Sequence, residues 1–334
     1  MARDIKNSIL SERKLPVNIK SDDIHLFAHE QKKYIPKPKI KYKKNALVVN
    51  NTIIGIKYPR LYFKDTFFEN PGFKKIIKDT LKNLIRNKKK ITVIQKASWI
   101  LDNKSSVYFH FICDALTRAI FIDDYTKNYP VLLTKDFIDR SYVHDILKFM
   151  EIPYIQMEDN YYYVKELLIT SHTAPSGNYN PNIITKLSSK FTLHHVHGES
   201  SNRRIWIDRK GERRDIKNWD EVLKILKKFK FEIINFKEYD IAEKNKLMMN
   251  TEFLMGVFGS GLTNMIMLPK TAKVIELRKK GDNHNNAFFS LASELKLPYY
   301  YFQVDVVGHI THGEVQIDTN KFEKFLISIF NKSF

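Results

Sequence analysis

The feature that most narrows the fold is an alternation of short apolar strands with single helices across the second half of the chain. Strands are predicted near 204–208, 231–235, 254–258, 273–277 and 299–303, with helices near 217–229, 240–250, 261–268, 284–295 and 319–331. Strands separated by one helix pair in parallel, because the chain must cross back over the sheet before it can run the same way again. This half therefore reads as a doubly wound α/β sheet. A less regular version begins earlier, with a strand at 91–94, a helix at 105–122, a strand at 130–134, a helix at 138–150 and strands near 153–157 and 162–169. The turn-forming stretch 171–182 (SHTAPSGNYNPN) leads to a domain junction near 198.

At 334 residues the chain has room for two domains. The expected division is a basic extension at 1–45, a first Rossmann-like domain at 46–197 and a second at 198–334. The extension is lysine-rich and aperiodic, which predicts an extended or partly ordered arm. Residues 46–57 predict a hairpin about Asn50 and Asn51. Residues 73–88 predict a surface helix, with apolar residues at helical spacing and lysines opposite.

Within the second half, residues 255–269 (MGVFGSGLTNMIMLP) read as a buried strand, a glycine turn and the start of a helix stopped by Pro269. Gly259 and Gly261 allow a tight turn and close approach of the backbone. Free N–H groups at the helix start, around Ser260, Gly261, Leu262, Thr263 and Asn264, suit an anion such as a phosphate. Glu276 then falls near the end of the next strand, where α/β sheets place ligand-binding side chains. Two glycines in such a turn also serve plain packing, and the stretch is neither a Walker A loop nor a complete dinucleotide fingerprint.

Residues 203–214 (RRIWIDRKGERR) put Arg209, Lys210 and Arg214 at and beyond the end of a predicted strand. Arginine offers a planar fork for phosphate oxygens and lysine a compact charge, so these could enclose a diphosphate with the glycine turn. The competing reading is a solvated basic loop. In the first half, His110, Asp114 and Arg118 recur every four residues on one helix face, beside Tyr108. They form either an ordinary helical ladder or a general base with its orienting partner. His194, His195 and His197 invite a metal, but no cysteine or carboxylate set accompanies them at ligand spacing, so a solvated loop is expected.

The net charge of +19 admits nucleic acid, an anionic membrane surface or an acidic substrate as partner. No zinc knuckle, ribonucleoprotein sequence or recognition helix accompanies it, so no nucleic acid is expected. A single cysteine, Cys113, excludes an internal disulfide and fits a reducing compartment. Neither a leader nor a membrane-spanning run is present in the sequence given, and a cytoplasmic protein is expected.

Taken in order, His-x-x-x-Asp-x-x-x-Arg, Asp-Arg-Lys with a later Arg-Arg, Gly-Leu-Thr-Asn, Val-Ile-Glu-Leu and Phe-x-x-Leu-Ala-x-x-Leu-x-Leu-x-Tyr resemble glycosyltransferase family 61. That family includes bacterial capsular polysaccharide enzymes and eukaryotic xylosyl- and N-acetylglucosaminyltransferases. The resemblance covers about residues 90–305 and is strongest from 203 to 301. It implies a GT-B fold, two Rossmann-like domains facing a cleft, and inverting transfer from a nucleotide-sugar, usually a UDP-sugar. Neither a cofactor nor an obligatory metal is implied.

By the same resemblance the C-terminal domain holds the nucleotide and the N-terminal domain the acceptor. Asp114 is the slightly favoured base, with His110 the alternative, and Tyr108 and Arg118 face the acceptor. Arg209, Lys210, Arg214 and the turn Gly259 to Asn264 hold the donor, and Glu276 binds ribose. Two positions depart from the family pattern. Phe258 stands where relatives commonly carry His, and Thr117 where they often carry Pro.

The function implied is the building of a bacterial surface or capsular polysaccharide. The acceptor would be a glycan or lipid-linked glycan, an anionic one included, and the lysine cluster at 32–44 would add peripheral contact with the inner membrane. A noncatalytic polysaccharide-binding or assembly protein, and a basic nucleic-acid-binding protein, are the alternatives.

Overall fold

A computed structural model describes residues 7–49, 52–55, 60–61, 91–159, 161–193, 202–309 and 313–330. The predicted helix at 73–88, the Asn50-Asn51 turn, the histidines at 194–197 and the junction at 198 lie outside these residues. The fold is mixed α/β with parallel sheets. The chain divides into two compact units, one of residues 1–9 and 34–187, the other of residues 10–33 and 188–334.

Strands β1 (Ser8–Glu12) and β2 (Lys32–Pro36) pair as a small sheet. The first unit is built on seven strands: β3 (Ile40–Val49), β4 (Thr52–Gly55), β5 (Arg60–Leu61), β6 (Thr92–Trp99), β7 (Val131–Leu133), β8 (Tyr154–Gln156) and β9 (Tyr161–Thr170). Their order is β5-β4-β3-β9-β6-β7-β8. β6, β7, β8 and β9 run parallel, while β3, β4 and β5 join antiparallel. The predicted hairpin at 46–57 is present as the β3–β4 pair, with Val49 opposite Thr52.

β6 continues five residues beyond its expected end at 94. Gln95 and Lys96 interrupt the apolar run but face solvent, and Lys96 reaches Glu166 of β9 at 3.6 Å. The loop after β6 leads into α1 (residues 108–121), whose middle section Phe111–Ala115 is π-helical. Helices α2 (Ser141–Phe149) and α3 (Pro181–Thr192) complete the described helices of eight residues or more here; the boundary between units falls within α3.

The second unit holds β10 (Arg203–Ile207), β11 (Phe231–Ile234), β12 (Thr251–Val257), β13 (Lys273–Lys279), β14 (Tyr299–Val307) and β15 (Glu314–Gln316). The order is β11-β10-β12-β13-β14-β15, parallel except for the last strand. Helices α4 (Trp219–Lys228) and α7 (Thr319–Phe330) cover one face, where Phe253, Met255, Ile275 and Leu277 meet Val222, Leu226, Phe322 and Leu326. Helices α5 (Ile241–Met249) and α6 (Ala287–Glu294) complete the set. Asp240 caps α5, accepting from the Glu243 amide at 2.8 Å while the Glu243 carboxylate accepts from the Asp240 amide at 2.9 Å, a closed capping box.

Residues 10–33, read from the sequence as part of a basic arm, pack within the second unit. Phe27 is fully buried, with ring centroids 5.0 Å from Phe289 and 5.1 Å from Tyr301. Arg13 is buried and bonded to Glu30 (2.8 Å), Glu294 (3.2 Å) and Ser290 (2.9 Å). The amide of Val17 donates to the Tyr299 carbonyl at 2.8 Å, occupying backbone of β14 that its neighbour β15 does not reach. Scattered apolar residues in a charged stretch show no period, which is why the sequence hides this docking. Phe27→Ala should cost about 3–5 kcal/mol of unfolding free energy, measured by urea denaturation. A loss under about 1 kcal/mol would mean that the segment does not contribute to the core.

Candidate functional site

In the second unit β11 and β12 lie on opposite sides of β10. The order of the parallel strands reverses there, so a crevice opens outside the carboxyl ends of β10 and β12, the place where doubly wound sheets take ligands. The loops leaving those two ends carry Arg209, Arg214 and the Gly259 turn.

Both guanidinium groups converge on Gly259. A β-carbon added there would lie 1.8 Å from Arg209 Nη1 and 3.2 Å from Arg214 Nη1. Its φ of +156° is also one that side chains rarely adopt, so glycine suits the backbone here and leaves the guanidinium in place. Gly261 and Gly256 have a different task. A β-carbon on either would press on Ile207, at 2.8 Å and 3.0 Å, so Gly261 lets the turn, and Gly256 lets β12, sit tightly against the end of β10.

Arg209 donates to the Arg213 carbonyl (3.0 Å) and lies 3.7 Å from Glu212, while its buried Nε has no partner among the described residues. Burial lowers its pKa. Arg214 donates to the Phe258 carbonyl at 2.8 Å and stacks 4.5 Å over the Phe258 ring. Its pKa is lowered by burial and by the like charges of Arg209 and Arg213. Partly buried cations crowded together repel, and an anion placed between them relieves that cost. Phe258 replaces the expected histidine with a platform for Arg214.

The segment after Gly259 is a 3-10 helix, Ser260–Met267, rather than the α-helix expected at 261–268. The Leu262 amide closes its first turn on the Gly259 carbonyl at 3.0 Å, leaving the Ser260 and Gly261 amides ahead of it. Leu262, Thr263 and Asn264 have buried side chains within this helix. Lys210 lines an open cavity of about 610 Å³ with Asp215, Asn218, Trp219 and Glu221.

Glu276 lies level with Gly256, three residues before the end of β13, and is 1% exposed. Its Oε2 accepts from Tyr299 and lies 4.0 Å from Arg278, while Oε1 has no partner among the described residues. Burial raises its pKa above the ordinary 4.5, against the pull of Arg278 and Tyr299. The folded state thus holds this proton more tightly than the unfolded chain. Its contribution to stability is present below pH 4.5 and is lost as pH rises through the folded pKa. Glu276→Gln should flatten that part of a melting temperature–pH curve; an unchanged slope would mean that the carboxyl titrates normally.

In the first unit the elements meet at the carboxyl ends of β6 and β9. His110 Nδ1 lies 2.7 Å from Asp114 Oδ2, which also accepts from Ser176 at 3.1 Å. The side chain of Asp114 is 4% exposed and that of His110 18%, so the imidazole is the outer member. The π-helical section carries Asp114 and begins one residue after His110, a distortion frequent at functional sites. Tyr108 packs edge-to-face on Tyr142 at 5.4 Å, and burial raises its phenol pKa.

Arg118, expected to face the acceptor, is instead fully buried. Its Nε donates to Thr170 Oγ1 (2.9 Å), its Nη2 to the Thr170 carbonyl and its Nη1 to the Leu101 carbonyl (3.3 Å). That arginine ties α1 to the strand ends, and its guanidinium meets Thr170 and Leu101 rather than solvent.

A second pair escaped the sequence reading. His172 Nε2 lies 2.9 Å from Asp102 Oδ2, and these residues follow β9 and β6 respectively. Ser176 was also missed. The usable signal is their place in loops at the ends of neighbouring parallel strands, hidden in the sequence because Gln95 and Lys96 break the apolar run of β6.

Among the described residues no group of three or more histidine, cysteine or acidic side chains is gathered as for a metal ion, and no helix is long and apolar enough to cross a membrane. The glycosyltransferase 61 family model matches residues 108–275, half of the chain, from the start of α1 to one residue before Glu276. A search of curated proteins finds no match.

Proposed function

The chain belongs to glycosyltransferase family 61, and we propose that it is an inverting enzyme of GT-B arrangement, moving a sugar from a nucleotide-sugar to a hydroxyl of a bacterial surface glycan. The observation that carries this reading is the convergence of Arg209 and Arg214 on Gly259 at the switch point of the second sheet. A UDP-sugar is the favoured donor. The two guanidinium groups and the Ser260 and Gly261 amides neutralise charge growing on the departing diphosphate, the role a metal serves elsewhere. Glu276 offers its unpartnered Oε1 to a ribose hydroxyl.

The first unit supplies the acceptor side. As the acceptor oxygen bonds to the anomeric carbon, the bond from that carbon to the diphosphate oxygen breaks. The hydroxyl proton passes to His110, with the buried Asp114 carboxylate holding the ring and stabilising the imidazolium. The outer position of His110 moves the preference from Asp114 to the imidazole. Tyr108 contacts the acceptor and Lys210 the donor. The product leaves with inverted configuration, and the other product is the nucleoside diphosphate.

Thermal stabilisation across UDP, GDP, CDP and dTDP tests the donor site, with Arg209→Ala and Glu276→Ala as controls. Stabilisation by one nucleotide that both substitutions abolish is expected. Stabilisation by none would remove the donor site from the second unit and favour the noncatalytic glycan-binding reading.

The charge of +19 fits an anionic or lipid-diphosphate acceptor and contact with an acidic inner-membrane surface from the cytoplasmic side. Affinity for vesicles of anionic lipid should fall steeply with salt, and replacing the lysines at 39, 41 and 44 by glutamine should reduce that slope. An unchanged slope would rule this surface out.

A further inference from the structure

We propose that His172, held by Asp102, is an acceptor-binding position whose Nδ1 accepts a hydrogen bond from a hydroxyl of a carbohydrate. The proposal rests on the reading of the first unit as the acceptor half of a glycosyltransferase.

β6 and β9 are adjacent parallel strands, with Trp99 opposite Ile169, and Asp102 and His172 lie three and two residues beyond their ends. The Asp102 side chain is fully buried. Its Oδ1 accepts from the Lys104 amide at 2.8 Å and the Ser105 hydroxyl at 3.0 Å, and Oδ2 faces His172 at 2.9 Å. Burial alone would raise its pKa, but the bond from His172, the Lys104 amide and the charge of Arg118 together bring it below its ordinary value.

An ionised carboxylate accepts only, so the nitrogen facing it carries the hydrogen. In the neutral ring that leaves Nδ1 with the lone pair. The His172 side chain is 22% exposed, and no described residue bonds its Nδ1. A lone pair backed by an ionised carboxylate repels an anion and welcomes a hydroxyl, which gives the ligand class. Carbohydrate acceptors present several hydroxyls near the one that reacts.

The location joins this pair to the His110–Asp114 pair. The loop carrying His172 is tied to α1 twice, through Thr173 to Thr117 at 2.9 Å and through Ser176 to Asp114 at 3.1 Å. A purely structural role for His172 would be to shield Asp102, and that role uses Nε2 alone. The two roles therefore depend on different ring nitrogens, and amide substitutions separate them. His172→Gln places its amide near Nε2 and keeps a donor for Asp102. His172→Asn places an amide oxygen near Nδ1 and keeps the acceptor.

The test has two arms on the full-length protein. In the first, histidine-selective nitrogen-15 labelling gives two-bond proton–nitrogen spectra, with His172 assigned by its loss in His172→Gln. The probes are the methyl pyranosides of glucose, galactose and N-acetylglucosamine. The expected result is a ring hydrogen on Nε2 and a shift of the Nδ1 resonance with at least one probe. No shift at His172 with any of them overturns the proposal.

In the second arm, acceptor KM should rise about five- to tenfold in His172→Gln, the worth of one neutral hydrogen bond. Values of kcat and donor KM should stay within about twofold, and His172→Asn should recover most of the loss. Wild-type acceptor KM in His172→Gln, or no advantage of asparagine over glutamine, also overturns it. Failure of the wild type to turn over every nucleotide-sugar would instead overturn the parent reading, and the spectroscopic arm would still decide whether His172 binds hydroxyls.

Discussion

Replacing His110 by alanine should lower kcat by about a hundred- to ten-thousandfold, the usual worth of a positioned general base. Donor affinity should be unaffected, because the nucleotide is assigned to the other unit. Unfolding stability should fall by about 1–3 kcal/mol, because the buried Asp114 carboxylate loses the imidazole and keeps Ser176. Asp114→Asn tests the same pair from behind. An amide in place of the carboxylate offers a donor where the imidazole hydrogen needs an acceptor, and the ring loses both its orientation and its counter-charge. A comparable fall in kcat is expected, with Ser176 retained as a partner. Steady-state kinetics with thermal unfolding as a control decide the matter. Near-normal turnover in both variants would reduce the pair to a helical ladder.

The second large effect belongs to the cationic crevice. Arg209→Ala should cost about a hundred- to a thousandfold in kcat, as for removal of one fixed donor to a developing anion. Gly259→Ala reaches the same residue by another path. The new methyl would sit 1.8 Å from Arg209 Nη1, so the guanidinium must leave its place while keeping its charge. If position matters more than charge, Gly259→Ala should approach the Arg209→Ala rate, and Arg209→Lys should not restore it, since lysine lacks the fork. A Gly259→Ala enzyme with normal kcat would show that the guanidinium position is unimportant.

Much of this architecture was legible from hydrophobic period alone. Strands β10 to β14 and helices α4 to α7 fall within a few residues of their predicted places, because each buried strand is a short apolar run separated by a helix, whereas β15 and the docked residues 10–33 leave no such period. The cluster around Gly259 was legible as a turn. That its glycines accommodate Arg209 and Ile207 was not, since this depends on which strand becomes the neighbour. The π-helical turn at Phe111–Ala115 leaves no periodic mark over five residues. Arg118 was misread because a helix face shows what is aligned but not which end is buried. The pair His172–Asp102 was missed because its members lie 70 residues apart and meet only when β6 and β9 align. Contacts of that separation come from sheet order, which a single sequence carries only indirectly.

In the proposed reaction the Arg209–Arg214 crevice accepts the diphosphate of a nucleotide-sugar, and His110 with Asp114 activates the attacking hydroxyl. Release of nucleoside diphosphate from UDP-, GDP-, CMP- and dTDP-sugars tests it most directly, CMP-sugars reporting through release of CMP and water serving where no glycan acceptor is supplied. Release from one nucleotide class by the wild type is expected, falling at least about a hundredfold in both Arg209→Ala and His110→Ala. Release that persists in both variants, or no release from any donor with or without glycan acceptors, would contradict it.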